Sequence, residues 1–248
     1  MMKITHKKLT ALCDIAAALV PECRLMITED GVNTAAVDTA NVAMIQFRLP
    51  KGQFDEFKVE PEKIGMDVTK WKAAIAIMKG DEITISRKNG QIVMTDGSYI
   101  YTLSPLDPST IRKRPNVPHL TPMVGLEIDP EKYSETISAM GKIGDEVSLS
   151  ITDTSLKLIV EGDNNQLMRK IDGVVPDGKA SHQKTVSSLF SLDYLKDTAK
   201  VMKGAGTITI YLTQDRPVRF DFSLEGIEAT FLIAPRLEVD TEEGATAE

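Results

Sequence analysis

Residues with catalytic or metal-binding chemistry are few and scattered in this sequence. The histidines and cysteines are His6, His119, His182, Cys13 and Cys23. Their separations do not match the ligand spacing of a zinc site. Carboxylates are plentiful, but no G-x-S-x-G, G-x-x-x-x-G-K or H-E-x-x-H motif accompanies them. We therefore expect no enzyme activity, no metal and no other cofactor, with each histidine an ordinary surface residue and the cysteines reduced inside the cell.

Lysines at helical spacing are the other candidate functional residues. Lys196, Lys200 and Lys203 follow each other at i, i+4 and i+7, which places them on one stripe of a helix. Lys72 and Lys79, seven residues apart, repeat part of this stripe in the first half of the chain. Lysine acts as a point charge, which suits phosphate contacts that do not depend on base sequence. The candidate DNA-contacting residues are Lys7, Lys8, Lys72, Lys79, Lys132, Lys142, Lys196, Lys200 and Lys203.

The net charge of the chain opposes this interpretation unless the lysines share one surface. The 248 residues carry a formal charge of -7 at pH 7. Phosphate contacts require local positive charge, and the local field decides which ligand binds. For a single helix, an ordinary solvated face is the better explanation. Recurrence of the stripe in both halves favours a functional one.

The elements that would position these lysines follow from apolar periodicity. In the first half, the pattern predicts helices over 10–20 and 68–79. Strands are predicted over 24–28, 32–37, 42–49, 82–87, 91–95 and 99–103. Asn89-Gly90 and Asp96-Gly97 are strong hairpin signals between the last three strands. The first half is therefore a mixed α+β domain with antiparallel pairing.

A proline-rich segment divides the chain, and the second half repeats the order of the first. Five prolines between 105 and 122 are typical of a semi-extended linker. Helices are then predicted over 130–142 and 192–203, with strands over 146–152, 156–161, 207–212, 218–224 and 228–233. Residues 78–85 resemble residues 202–210 with one insertion, and residues 101–106 resemble 231–237. The expected organisation is two related domains, 1–106 and 124–238, a linker at 107–123 and an acidic flexible tail at 239–248.

Three segments carry a resemblance to a known family. They are residues 31–45, residues 190–196 with the helix that follows, and residues 232–238. In order and position they resemble the proliferating cell nuclear antigen family of DNA sliding clamps, over residues 1 to about 238. The chain length and linker are similar to the archaeal branch.

The resemblance implies an architecture and a function. The expected assembly is a homotrimeric ring in which antiparallel sheets form the outer wall, helices line the hole, and subunits join by strand edges. The ring would encircle double-stranded DNA without sequence preference and raise polymerase processivity. DNA polymerase, the clamp loader, flap endonuclease and DNA ligase are the expected partners, docking by short hydrophobic peptides. The pocket implied by position involves Val37, Asn41, Val42, Ile111, Pro217, Ile233, Ala234 and Pro235, with Ile111 of the linker at its rim. Burial in the sheet core is the competing explanation for Val37, Val42 and Ile233.

The resemblance is imperfect at the expected DNA-facing positions. Relatives often carry basic residues where this chain has Thr10, Ala11, Ala17, Glu135 and Ser138.

Two other functions stay open: a subunit of a heterotrimeric or checkpoint ring, and a small enzyme whose carboxylates converge on folding. No stretch approaches the roughly 18 apolar residues of a membrane helix, and no signal peptide is indicated. The expected location is the cytoplasm, with the nucleoid, for an archaeal protein and the nucleus for a eukaryotic one.

Overall fold

The structure is a computed structural model that describes residues 1–116, 124–152, 154–176 and 186–236. Its helices are α1 (His6–Ala17), α2 (Val68–Ile77), α3 (Pro130–Met140) and α4 (Leu192–Met202), with a short 3-10 helix at Lys51–Gln53. The strands of the first half are β1 (Met2–Thr5), β2 (Glu22–Thr28), β3 (Gly31–Val37), β4 (Ala43–Pro50), β5 (Glu56–Phe57), β6 (Glu62–Asp67), β7 (Glu82–Lys88), β8 (Gln91–Thr95) and β9 (Ile100–Leu103). Those of the second half are β10 (Val124–Ile128), β11 (Glu146–Thr152), β12 (Ser155–Glu161), β13 (Gln166–Asp172), β14 (Val186–Ser191), β15 (Ile208–Leu212), β16 (Val218–Leu224) and β17 (Ile227–Ile233).

The strand pairing repeats between the two halves. In the first half β1-β7-β8-β9 and β4-β3-β2-β6 each pair in this order, and in the second half β10-β15-β16-β17 and β13-β12-β11-β14 do the same. All pairs are antiparallel. The helices occupy equivalent places. Helices α1 and α3 follow β1 and β10, and helices α2 and α4 precede β7 and β15, the strands that pair with β1 and β10. The predicted α+β class and internal repeat are therefore confirmed.

One sheet joins the two halves. Strands β17 and β4 pair in antiparallel register from Glu228↔Arg48 to Ile233↔Ala43. This contact fuses one half-sheet from each domain into a continuous sheet of eight strands. The buried side chains of both halves form one apolar cluster, which includes Ile15 of α1 and Phe231 of β17. The two domains are thus held by backbone hydrogen bonds and by shared core packing.

Polar side chains at the ends of strands start three of the helices. Thr5 caps α1 by accepting the Lys8 N–H, and Asp67 caps α2 by accepting the Lys70 N–H. Asp129 caps α3, which opens with Pro130 in the first turn where no backbone N–H is needed. Caps of this kind contribute about 1 kcal/mol each. They fix the residue at which each helix leaves its strand, and the apolar stripe of the helix then decides which face is buried.

The predicted linker is partly within the described residues. Leu106 pairs with Gly65 of β6, and its N–H donates to the Gly65 carbonyl at 3.0 Å. The segment after it turns at Asp107, whose carboxylate accepts the Ser109 N–H at 2.8 Å. Residues 107–116 therefore run along the first domain instead of bridging open solvent. The remainder of the predicted linker, residues 117–123, and the predicted tail, residues 239–248, lie outside the described residues.

Candidate functional site

The candidate lysines lie on the four helices or within two residues of their C-terminal ends. In these segments lysines are twice as numerous as carboxylates: Lys7, Lys8, Lys70, Lys72, Lys79, Lys132, Lys142, Lys196, Lys200 and Lys203 against Asp14, Glu131, Glu135, Asp193 and Asp197. Helices α1 and α2 pack together, α3 packs with α4, and α1 also contacts α4. The helices thus form one layer with local positive charge on a chain of net charge -7.

Three of the lysine positions repeat between the domains. The pairing of β1 with β7 and of β10 with β15 makes Ile4 equivalent to Ile128. Counting from these residues makes Lys8 equivalent to Lys132. In the same way, Asp67 and Ser191 occupy equivalent strand ends opposite Glu22 and Glu146. It follows that Lys72 is equivalent to Lys196 and Lys79 to Lys203. The helical recurrence predicted from spacing is therefore present in the fold.

Several of these lysines contact neighbouring carboxylates or carbonyls. The ammonium groups of Lys72 and Lys7 lie 2.7 Å from Asp14 and 2.9 Å from Glu225. Lys196 lies 3.4 Å from Asp193, and Lys203 lies 3.4 Å from Glu131. Lys8 donates to the Gln53 carbonyl at 2.9 Å, and Lys79 to the Ala76 carbonyl at 3.1 Å. Exposed pairs of this kind contribute about 0–1 kcal/mol, so an incoming phosphate can compete for these lysines.

Three other lysines are more freely available. Lys132, Lys142 and Lys200 are exposed, and no carboxylate within the described ranges lies within 4.0 Å of their ammonium groups.

One further lysine on the layer, Lys70, was not among the residues predicted from the sequence. It is exposed on α2, where it pairs with the capping carboxylate of Asp67 at 3.2 Å. Its equivalent in α4 is Tyr194, so the repeat did not reveal it.

The turn that follows β3 is organised by Asp38, which the sequence did not distinguish from other acids. Its carboxylate accepts the N–H groups of Val42 and Ala43 at 2.9 Å each and that of Ala40 at 3.3 Å. It also accepts the Tyr194 hydroxyl of α4 at 2.7 Å. Asp38 is only 7% exposed. This one side chain therefore fixes the turn at residues 38–42 and ties it to the helix layer of the other domain.

The hydrogen bonds set the titration of both partners. Burial on its own would raise the pKa of the Asp38 carboxyl, but the donors from Ala43, Tyr194, Val42 and Ala40 together hold it below its usual range. The hydrogen bond to Asp38, helped by burial, raises the pKa of Tyr194 to about 12. The pair therefore stays as carboxylate and neutral phenol throughout the neutral pH range.

The predicted peptide-pocket residues are gathered around this turn, although two of them are covered. Val37 and Val42 are half-buried, and Asn41 is exposed with a φ of 61°. The Ala234 N–H donates to the Val42 carbonyl at 2.8 Å, which brings the segment after β17 alongside the turn. Pro217, Ala234 and Pro235 are half-buried.

Ile233 and Ile111 do not line an open surface in this conformation. Ile233 has no exposed area and belongs to the apolar core, so the sheet-core explanation is correct for this residue. Ile111 is 4% exposed. A Cβ at Gly65 would lie 2.9 Å from Ile111 Cδ1, which shows that this side chain packs down onto β6. Ile111 therefore does not form the exposed rim that the resemblance implied, in this conformation.

Comparison with known proteins identifies the family. Models of the N-terminal and C-terminal domains of proliferating cell nuclear antigen match residues 4–95 and 124–237. The chain belongs to the proliferating cell nuclear antigen family. A protein of Methanoregula boonei described as a DNA polymerase sliding clamp is 38% identical over 231 residues, covering 90% of this chain and 93% of the relative. A protein of Methanoculleus marisnigri with the same description is 36% identical over 233 residues, covering 92% and 94%.

Solved structures of this family share the fold. The structure of the C-terminal region of FEN-1 bound to A. fulgidus proliferating cell nuclear antigen matches with a TM-score of 0.86 at 28% identity, covering 96% of this chain and 99% of that chain. The proliferating cell nuclear antigen of Thermococcus kodakaraensis matches with a TM-score of 0.83 at 17% identity, covering 95% and 99%. The second match shows the common architecture alone.

The positions where this chain departs from the proliferating cell nuclear antigen resemblance differ in exposure. Ala17, Glu135 and Ser138 are exposed on α1 and α3, whereas Thr10 is half-buried and Ala11 is 7% exposed. Ala11 therefore lies in the packing of α1 and offers no surface to a ligand. At Ala17, Glu135 and Ser138 the helix layer has small or acidic side chains in place of basic ones. The positive charge of the layer therefore comes from the lysines named above.

The histidine and cysteine predictions have mixed outcomes. His6 is half-buried and its Nε2 lies 3.1 Å from the Ile75 carbonyl, so it links α1 to α2 and is no ordinary surface residue. His119 and His182 lie outside the described residues. Cys13 and Cys23 are free buried thiols, and burial raises the pKa of Cys23 to about 11.

In the described ranges no cluster of three or more His, Cys, Asp or Glu could hold a metal ion. No helix of these ranges is long and apolar enough to cross a membrane.

Proposed function

We propose that this chain is the subunit of a DNA polymerase sliding clamp that closes as a homotrimeric ring around duplex DNA. Membership of the proliferating cell nuclear antigen family over both domains carries the proposal. Relatives at 32–38% identity are described as DNA polymerase sliding clamps. Each chain would supply two domains, 1–106 and 124–238, so that three chains give a ring of similar units.

Ring closure is supported by the sheet edges that the internal repeat leaves available. Inside the chain β17 of the second domain pairs with β4 of the first. The equivalents of these strands are β9 and β13, and each lies at the edge of its sheet. If β9 of one subunit pairs with β13 of the next, every junction in the ring is built alike. The contact is then heterologous and closes by rotation.

The register of the internal junction predicts the contacts of the subunit junction. Ile100 is equivalent to Thr230, since they pair with Thr95 and Asp221 at matching places. Met168 is equivalent to Gln46 when the turns from β2 to β3 and from β11 to β12 are aligned. Thr230 pairs with Gln46 inside the chain. The expected partner of Ile100 is therefore Met168 of the next subunit.

The exposure of these two side chains agrees with that register. Ile100 is 77% and Met168 55% exposed, and both are among the most exposed large apolar residues in the described part of the chain. An unpaired strand edge that exposes a large apolar side chain favours pairing with another chain. Burying both side chains against each other would stabilise the junction by about 1.5–3 kcal/mol for each side chain. The repeat also places α2 beside α3 of the neighbour, as α4 lies beside α1 within the chain.

The helix layer would line the hole and contact DNA through its lysines. Salt-sensitive contacts to phosphate position a duplex without reading its sequence, so they permit sliding. Topological linkage, not affinity, then retains the ring on DNA. A tethered polymerase rebinds as an intramolecular partner at high effective concentration, which raises processivity. In this mechanism the chain itself catalyses nothing.

The turn at residues 38–42 and the segment after β17 are the proposed docking site for partner peptides. The relative from A. fulgidus binds the C-terminal region of FEN-1, which supports flap endonuclease as a partner. DNA polymerase, DNA ligase and the clamp loader would dock in the same way. The loader would open the ring on DNA with ATP. The curated relatives from Methanoregula boonei and Methanoculleus marisnigri are archaeal, so we propose that the ring works on the archaeal nucleoid.

Primer extension tests this function. On singly primed circular DNA, with the loader, ATP and a polymerase of the same cell, the protein should lengthen the products made in a single binding event. Product lengths that are unchanged by the protein would overturn the proposal. Native mass separates the two ring types: three times 27.2 kDa supports the homotrimer, and a lone monomer supports a subunit of a heterotrimeric ring.

A further inference from the structure

A cluster of cations lies beside the turn at residues 38–42. It consists of Arg24 on β2 and the consecutive linker residues Arg112, Lys113 and Arg114, and we call it the cationic rim. The three linker residues are exposed, while Arg24 is half-buried. These four positive charges stand together on a protein of net charge -7. The rim is distinct from the helix lysines, because its residues lie on β2 and in the linker and not on the helix layer.

Hydrogen bonds hold the rim in place on the first domain. Arg112 Nη1 donates to the Asp38 carbonyl at 2.7 Å, and Arg114 Nη1 donates to Asn33 Oδ1 at 3.2 Å. Arg24 donates to the Ile111 carbonyl through Nε at 3.0 Å and through Nη2. The linker carrying the rim is therefore fixed to β2, β3 and the turn, so its charges stand at defined positions. Pre-positioned charges lose less conformational entropy on binding.

The charge of the rim is neutralised only in part. The Ser109 hydrogen bonds and the positive charge of Arg24 lower the pKa of the Asp107 carboxyl, so this carboxylate offsets part of the charge of Arg24. In the described parts of the chain, no carboxylate lies within 4.0 Å of the cationic groups of Arg24, Arg112, Lys113 or Arg114. The carboxylate of Asp38 already accepts three backbone N–H groups and the Tyr194 hydroxyl. The guanidinium groups that anchor the rim donate to neutral oxygens, so their charge remains available to a partner.

The rim faces away from the helix layer. Along β2 the side chains alternate, with Cys23 and Leu25 in the core and Arg24 between them on the outer face. Along β6, Ile64 and Met66 are likewise buried, and Gly65 meets the linker at Leu106. The core on the inner side includes residues of α1 and α2. The rim is therefore separated from the proposed DNA-facing lysines by a whole sheet.

We propose that the cationic rim selects partner peptides that carry acidic residues next to their hydrophobic docking motif. This inference rests on the proposed peptide-docking function of the turn. Arg112 donates to the Asp38 carbonyl within that turn, so a peptide bound on Asn41 and Val42 would have residues beside the rim. Complementary charge at a rim raises association rates and fixes the orientation of the partner. A nucleic acid is the less favoured ligand, because the ring would present its DNA-facing surface on the opposite side.

Peptide titration on the full chain tests the proposal. The probes are three synthetic versions of the C-terminal segment of flap endonuclease from the same cell, with one hydrophobic motif and with acidic, uncharged or basic flanking residues. Exposed ion pairs change affinity by up to about fivefold each. With three flanking charges, we expect the acidic version to bind roughly tenfold more tightly than the basic one at low salt. The difference should shrink as NaCl screens the charges.

A charge reversal at Lys113 provides the matched variant. Lys113 lies between the two anchoring arginines, so Lys113→Glu should keep the linker in place and weaken binding of the acidic peptide by roughly 3- to 10-fold. Lys51→Glu is the control, with the same charge change on an exposed lysine at the other end of β4. The eight residues of β4 separate it from the turn by about 26 Å, and three strand residues, about 10 Å, separate its neighbour Asp30 from Asn33, which anchors Arg114. We expect this control to change peptide affinity by less than twofold, well below the effect of Lys113→Glu, because the nearest rim charge is about one Debye length away.

The possible results separate the two levels of the proposal. If no version of the peptide binds, the docking function itself fails. If all versions bind equally, or the basic version binds best, docking stands and the selection of acidic partners is wrong. Selection is also wrong if Lys113→Glu leaves peptide affinity unchanged and lowers affinity for duplex DNA instead, since the rim would then be a nucleic-acid contact.

Discussion

Replacement of Ile100 with Asp should dissociate the ring while leaving the subunit folded. Ile100 is 77% exposed in the subunit, so its removal costs the core little. In the ring it would face Met168 of the next subunit. The substitution forfeits about 2 kcal/mol of apolar burial and adds about 1 kcal/mol or more for a carboxylate without a partner. We therefore expect each junction to be weakened by about 3 kcal/mol.

The closed ring multiplies this loss. Three equal junctions give about 9 kcal/mol per ring, which is more than a millionfold in the constant for dissociation to three monomers. The midpoint concentration varies as the square root of that constant, so it should rise roughly a thousandfold. Native mass over a dilution series measures this shift, and thermal denaturation checks that the variant subunit is folded.

A matched substitution distinguishes the junction from a general effect of added charge. Val174 is 67% exposed and lies beyond the C-terminal end of β13, where it pairs with Glu127 of β10. It is six residues, about 20 Å, from Met168 and outside the stretch of β13 that is expected to pair with β9. Val174→Asp should leave the midpoint concentration unchanged. If the folded Ile100→Asp variant dissociates at the same concentration as the wild type, the pairing of β9 with β13 is refuted.

Three other substitutions test the turn, the linker and the helix layer. Asp38→Asn should lower the free energy of unfolding by about 2 kcal/mol, because charge-assisted hydrogen bonds contribute about 1.5–3 kcal/mol each and the amide keeps one acceptor oxygen. Folding lowers the pKa of Asp38, so this contribution is complete above about pH 4 and is lost as the pH falls. The urea midpoints of wild type and variant should therefore converge in acid. Equal midpoints at pH 7 would contradict the hydrogen-bond network around Asp38. Gly65→Ala should destabilise by about 1–3 kcal/mol, since the added Cβ would lie 2.3 Å from the Leu106 carbonyl oxygen and 2.9 Å from Cδ1 of Ile111 in the linker. Gly52→Ala, in open space, should stay within about 0.5 kcal/mol. Equal melting temperatures for the two variants would be inconsistent with the packed linker. Lys132→Ala combined with Lys200→Ala should weaken duplex binding by the loaded ring and flatten its salt dependence, and an unchanged slope in a salt titration would remove these lysines from the interface.

Most of the elements could be predicted because their apolar periodicity is local. The start of α2 at Val68 and the hairpin at Asn89-Gly90, with φ values of 51° and 78°, match the sequence expectation. The helix predicted from residue 10 begins at His6 instead. Its first turn is polar, and what starts it is the cap from Thr5, which apolar spacing does not reveal.

Six strands of the described residues were not predicted: β1, β5, β6, β10, β13 and β14. Two of them lack a regular apolar pattern. In β13 only Ile171 is buried, and the exposed side chains hide the alternation that would indicate a strand. In β6 the charged Glu62 and Lys63 and the side-chain-free Gly65 interrupt it. These strands form because neighbouring strands supply their hydrogen bonds, and that information is distributed over the chain.

The candidate site was predictable only in part for a similar reason. The recurrence of lysines on equivalent helices could be read from spacing. The role of Asp38 could not, because Tyr194 lies 156 residues away in sequence. The sequence also could not tell that Ile111 turns inward, since this depends on the space left by Gly65.

Retention on circular and linear DNA tests the central claim most directly. The protein is loaded with clamp loader and ATP onto nicked circular DNA, freed from unbound protein by gel filtration, and then exposed to a restriction enzyme that cuts the circle once. A topologically linked ring should stay on the intact circle at moderate salt and slide off the linear product. Equal retention on both forms, or equal loss from both, would contradict the account of this chain as a sliding clamp.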